Sequence, residues 1–230
     1  MKRFWKDVTV EPEGGGWAIR LDGRAIKTPA RAPLVVPAKT LTDAIAEEWR
    51  TVKDKIDPRA MPLTGLANAA IDRVAPDKSS FAQGIARYAE ADLACYRAEG
   101  PPKLVARQEE SWDALLGWAR RRYDIDFAIT TGLIHVEQPA ATVERLNHAV
   151  AALGPFQLAG LSQLVTIGGS LVAALTVLEG AITAEAAWEA VSLDERWQLE
   201  QWGADAEAEA ALANRRNDFL AAARFVALLN

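Results

Sequence analysis

The chain changes its hydrophobic period once. Up to Pro37, bulky and polar residues alternate through FWKDVTVE, WAIRL and RAIKT; beyond it, apolar residues recur three and four positions apart. A period of two places successive side chains on opposite faces of a strand, whereas a period near 3.6 lines one face of a helix. This switch predicts an α+β fold, with a small N-terminal β-rich domain over residues 1–60 and a larger, mostly α-helical domain over 61–230. The boundary falls between 37 and 62. Asp22-Gly23 suits a tight hairpin turn between WAIRL and RAIKT, and APLVVP, bounded by prolines, reads as an edge strand.

Within the helical part, Thr40 and Asp43 are placed to cap the first helix, and Asp57-Pro58 with Pro62 turns the chain. Further helices are expected over 64–74, 80–98, 105–123, 140–153, two pieces of 156–178, 183–191, and one long helix over 193–229. FAITTGLIHVEQP is the later segment with strand character. Ser192, followed three residues on by Glu195, is a capping-box pattern that starts the last helix near Leu193. From that start, Leu193, Trp197, Glu200, Ala204, Ala208 and Ala211 share one face, and Glu195, Leu199, Trp202, Ala206 and Glu209 another. The two indoles therefore point different ways, one into the core and one towards an acid-flanked surface.

Composition removes several functional classes. A net charge of −5 and a pI near 5.2 leave no electrostatic footprint for nucleic acid, and Arg120, Arg121 and Arg122 form only a local patch. The opening residues lack the apolar segment of a secretory signal. The most apolar stretch, 158–178, is interrupted by Gly160, Gly168 and Gly169, so a buried helical pair is expected there and not a membrane span. Gly14, Gly15 and Gly16 match no phosphate-binding loop and read as a flexible hairpin connection. One cysteine and two histidines, His135 and His148, are too few for a zinc site, and no cofactor is expected. Cys95 sits on a helical pattern with no histidine at a spacing that marks a base, so a buried apolar role is expected for it.

The eight tryptophans are the abundant oddity. Such side chains dominate both cores and interfaces. Five separated stretches, RFWKDV, GWAIRLDGRAIKTP, AIAEEWRTVKDKIDPRAMPLTGLANAAIDRV, YAEADLACYRAEGPPKLVARQEESWDALLGWA and SLDERWQLEQWGADAEAE, together resemble the assembly chaperone of the catalytic head of F-type ATP synthase. The resemblance implies a β-domain followed by a helical domain. It further implies a non-catalytic binding protein that holds the free alpha subunit and shields its beta-facing surface from aggregation until the head assembles. The family's C-terminal motif falls on Asp194, Glu195, Trp197, Gln198, Glu200, Trp202, Gly203, Asp205 and Glu207, and its EEW and MP motifs on Glu47, Glu48, Trp49, Met61 and Pro62. Trp49, Met61, Pro62, Ser192, Glu195 and Trp197 are assigned to folding. Glu200, Trp202, Asp205 and Glu207 are assigned to the client surface. The partner the resemblance implies is the alpha subunit; no nucleic acid and no membrane span are expected from the residues, and a monomer is expected for the free chain because covering a patch on a client needs no symmetry. The compartment it implies is the bacterial cytoplasm, or the mitochondrial matrix for eukaryotic members. Two other classes fit the residues alone: an enzyme with an acidic helical cleft, and a helical adaptor with another client.

Overall fold

The alternating N-terminal segments form one antiparallel sheet. In the computed structural model, which describes residues 2–203 and 205–229, β1 (Val8–Glu13) pairs with β2 (Gly16–Leu21) from Val8↔Leu21 to Glu13↔Gly16. β3 (Arg24–Ala25) pairs with the end of β2 and β4 (Val35–Val36) with its start. Asp22 and Gly23 have φ of 48° and 79°, the left-handed pair that a tight hairpin turn requires. The Asp22 carboxylate also accepts from the backbone N–H of Asp7 at 2.9 Å and Lys6 at 3.0 Å, and these bonds hold its pKa below the ordinary value. Gly16 cannot be replaced cheaply, because a Cβ there would stand 2.6 Å from the Val36 carbonyl oxygen. The architecture is α+β, strands first and helices after.

The described chain divides into two compact units, the first comprising 1–78, 154–160 and 224–230, the second 79–153 and 161–223. In the first, α1 (Lys39–Thr51) buries Leu41, Ile45 and Ala46 in a core shared with Ile19, Leu34 and Val36 of the sheet region. The expected Thr40/Asp43 cap does not form. Thr40 donates to the Leu228 carbonyl at 2.6 Å, Asp43 pairs with Lys39 at 2.6 Å, and the helix starts from Ala38 with no side-chain cap.

α2 (Pro62–Ala69) explains the EEW and MP motifs physically. Pro62 occupies the first helical position, where a missing N–H costs nothing, and Met61 before it has no capping oxygen. Glu48 of α1 supplies the cap from a distance, accepting from Leu63 N and Thr64 N at 2.8 Å and from the Thr64 hydroxyl at 2.6 Å. Burial raises its pKa despite these bonds. Trp49, one residue on, is half-buried and tilts against the buried Trp5 with ring centroids 5.2 Å apart. A five-residue π-helical turn, Ala70–Val74, continues α2, and its Asp72 takes the Thr28 hydroxyl at 2.6 Å and Ala30 N at 3.0 Å.

In the second unit α3 (Lys78–Ala86) is shorter than its periodicity predicts, ending in a 3₁₀ turn before Asp92. Asp92 is fully buried, and its two carboxylate oxygens accept from Ala94 N at 3.0 Å and from Val172 N at 2.9 Å. A side chain that satisfies two orphan N–H groups favours a cap over a helix interior, so the chain leaves the helix here. β5 (Tyr96–Arg97) follows, then α4 (Pro102–Tyr123), whose Trp112 donates to the Ala190 carbonyl at 2.8 Å. The expected later strand shrinks to β6 (Thr130–Thr131), parallel to β5, because the rest of that segment is loop.

Next come α5 (Ala140–Ala151), α6 (Pro155–Gly168) and α7 (Leu171–Leu178), with α6 running from one unit's residues into the other's. Every residue of α7 is buried, and its N-cap Ser170 accepts from Ala173 N at 3.0 Å. No described helix is long and apolar enough to cross a membrane. The remaining helices are α8 (Ala184–Val191), α9 (Leu193–Trp202) and α10 (Ala206–Ala227). The single helix expected over 193–229 is thus two, broken at Gly203 with φ 86°.

Removing the distant cap with Glu48→Ala is expected to lower stability by about 1–3 kcal/mol, read as a shift of the urea midpoint at unchanged slope. Asp92 provides a pH test. Burial raises its pKa in the fold, so the stability it contributes is full below its unfolded pKa and is lost as pH rises through the folded value. Measured against the non-titrating Asp92→Asn variant, the wild type should gain stability as pH falls from about 7 towards about 4.

Candidate binding surface at the end of α9

α9 starts without the predicted capping box. Ser192 closes α8: its N–H and its hydroxyl both donate to the Trp188 carbonyl, at 3.0 and 2.7 Å, with φ −99° and ψ 9° where a box needs extended backbone. Glu195 is engaged elsewhere, pairing with Arg215 at 2.5 Å. Asp194 accepts from the Gln108 amide at 2.7 Å. The acids of the first turn thereby lock α9 to α4 and α10 and leave few free charges there.

The two indoles part company. Trp197 is 7% exposed and packs with Leu104 and Leu193 beside Ala98, whereas Trp202 is 80% exposed. Arg107 of α4 joins the buried indole to the surface: its guanidinium lies over the Trp197 ring at 4.8 Å and pairs with Glu200 at 2.7 Å. Glu200 and Arg107 also line a groove of about 520 Å³ with Glu110, Glu189 and Arg196. Arg107 has no local signal in sequence, since Glu200 lies 93 residues away.

Beyond Trp202, Gly203 turns the chain and Asp205 starts α10, its carboxylate accepting from Glu207 N at 3.1 Å and its carbonyl from Glu209 N at 2.9 Å. Ala204 lies outside the described residues. Asp205, Glu207 and Glu209 therefore stand at a helix N-terminus and not past a first turn, as a single helix would have placed them. The macrodipole accounts for acids there, which removes one reason for reading them as a recognition cluster. What the helix propensities and dipole do not explain is exposure. Every described residue from 201 to 211 is exposed, including Trp202, Ala206, Ala208, Ala210 and Ala211. Among the described residues, the Glu207 and Glu209 side chains have no ion-pair partner.

The cysteine and histidines weighed from sequence fall as follows. Cys95 is buried, and its thiol is pushed up to about 12, first by burial and then by the charge of Asp92, so almost no thiolate forms near neutral pH. His135 meets the Tyr96 hydroxyl at 3.2 Å. Among the described residues, no three His, Cys, Asp or Glu side chains converge as a metal site.

The model of the ATP12 chaperone protein family matches residues 2–120. The chain belongs to the ATP12 chaperone family. Members of this family act in ATP synthase assembly. Atp12 of Paracoccus denitrificans superposes with a TM-score of 0.95 at 43% identity, covering 100% of this chain and 98% of that one, and a form of it with one aspartate changed to lysine matches equally. A protein of Agrobacterium tumefaciens follows at TM-score 0.94 and 39% identity, over 100% of this chain and 86% of that one. The mitochondrial protein atp12 of Schizosaccharomyces pombe is 27% identical over 214 residues, 88% of this chain and 74% of its own length.

The two tryptophans should separate cleanly in stability. Trp197→Ala leaves a cavity and frees Arg107, and is expected to cost about 3–5 kcal/mol. Trp202→Ala touches only exposed surface and should change stability by no more than about 0.5 kcal/mol. Urea unfolding followed by circular dichroism, away from the indole signal itself, measures both.

Proposed function

We propose that this ATP12-family chain binds the free alpha subunit of F-type ATP synthase and covers its beta-facing surface until the catalytic head assembles. It does so as a binding protein, with no catalytic step and no cofactor. One observation carries the reading: the Trp202 indole stands in solvent at the break between α9 and α10, next to an N-terminal stretch of α10 whose described residues are all exposed up to Ala211. An exposed indole is an expensive surface for an isolated protein and a strong anchor for an interface.

Glu200, Asp205 and Glu207 rim this anchor. Carboxylates around an aromatic contact set register and exclude partners that present like charge. Glu200 is held by Arg107 and Asp205 by its capping bond, while Glu207 has no ion-pair partner among the described residues and is free to meet a client cation. The match of the proposed surface to family motifs at Trp202, Gly203 and the flanking acids supports the same assignment.

The test is binding of purified alpha subunit by size-exclusion chromatography and by titration. Trp202→Ala should weaken the complex at least about tenfold while leaving the chain folded. Glu207→Lys should slow association and make it less sensitive to salt. Addition of beta subunit should release this chain. If Trp202→Ala binds alpha as the wild type does, the assignment of this surface is wrong.

A further inference from the structure

The loop from Ala128 to Gln138 holds two large aliphatic side chains in solvent. Leu133 is 99% and Ile134 80% exposed, and Ile129 is exposed as well. Single exposed leucines are ordinary, but adjacent ones at the tip of a fixed loop mark a contact surface. Three anchors fix this loop. The Gln138 amide accepts from Ala128 N at 3.0 Å and donates to Ala128 O at 2.9 Å, closing the base as a strand pair would. Thr130 and Thr131 pair with Tyr96 and Arg97, and Gly132 N donates to the Arg97 carbonyl at 2.8 Å. Arg97 is itself buried, paired with Asp113 at 2.5 Å and lying over Trp112 at 5.1 Å. The aliphatic pair is thus presented with little ordering left to do on docking.

Beside the tip lies a cleft of about 670 Å³ whose lining includes Glu90, His135, Glu137, Val143 and Glu144. It contains three carboxylates and neither Lys nor Arg. We propose that the 128–138 loop and this cleft form a second docking surface for the client. It receives a polypeptide segment in which a lysine or arginine borders an apolar depression. Leu133 and Ile134 enter the depression, and the cation is taken by the carboxylates. Charge favours this occupant over a second copy of the chain, whose net charge of −5 repels the same cleft. The inference rests on the reading that the client is the alpha subunit.

Two measurements test it on the full chain co-expressed with alpha subunit. With Leu133→p-benzoylphenylalanine, irradiation should crosslink the chain to alpha. The Leu133→Ser/Ile134→Ser variant should lose at least about tenfold in affinity with an unchanged circular dichroism spectrum, because both side chains lie outside the core. A crosslink to a second copy, or no crosslink together with wild-type affinity of the serine variant, overturns the proposal. If Trp202→Ala weakens binding while the loop variant binds as wild type, this inference falls and the proposed function stands. If the wild-type chain binds no alpha subunit, both fall.

Discussion

Two buried or half-buried carboxylates give helix starts an acceptor from far along the chain, Asp92 beside the local Ser170 cap of α7 and Glu48 where α2 has no cap of its own. Asp92 connects Ala94 and Val172, 78 residues apart, through one side chain without solvent contact. Glu48 does the same for α2 from the body of α1. A helix start buried without an acceptor leaves orphan N–H groups, each a cost comparable to a lost hydrogen bond. Burial raises the pKa of both acids, while the hydrogen bonds they accept pull it down, so desolvation is the cost set against these bonds. The positions of α2 and α7 within their own units follow from that exchange.

The same principle, seen in reverse, leaves the proposed binding surface exposed. Once Gly203 takes φ 86°, α9 must stop, and Trp202 is left at a helix end that cannot fold back over it. Arg107 fixes the last turn of α9 by covering Trp197 and holding Glu200. The exposed indole thus follows directly after a turn of α9 that is tied to α4. α10 begins anew with Asp205 as its cap, which with the acids of the first turn stabilises a start that has little packing of its own.

Much of the architecture was legible in sequence because it is set by local period. The strand alternation before Pro37, the Asp22-Gly23 turn and the helices over 102–123, 140–151 and 184–191 follow from side-chain spacing and turn chemistry. The misreadings share a cause. Ser192/Glu195 and Thr40/Asp43 satisfy cap patterns locally, but the oxygens of each pair are taken by distant or preceding groups: Trp188, Arg215, Leu228 and Lys39. The break at Gly203 was hidden because the apolar spacing continues in phase across it. Arg107 and Glu48 act over long sequence separations that no window of residues contains. The exposure of Trp202, by contrast, was readable as one of two indoles on different faces, although only packing decides which face is covered.

An assembly chaperone must hold its client tightly enough to prevent aggregation and loosely enough to yield it. On the proposed reading, the surface near α9 suits that compromise because its energy is concentrated in one indole with a charged rim. A single aromatic anchor is a hot spot whose loss removes most of the affinity, whereas rim charges act mainly on encounter rate and partner choice. On that reading, a beta subunit that competes for the client face occupied by the indole displaces the strongest single contact of this surface, and the rim charges left behind are weakened by salt. A broad apolar interface of the obligate kind would resist such exchange. Rigid presentation compensates for small area: with Arg107 holding the turn beneath it, Trp202 loses little freedom on binding.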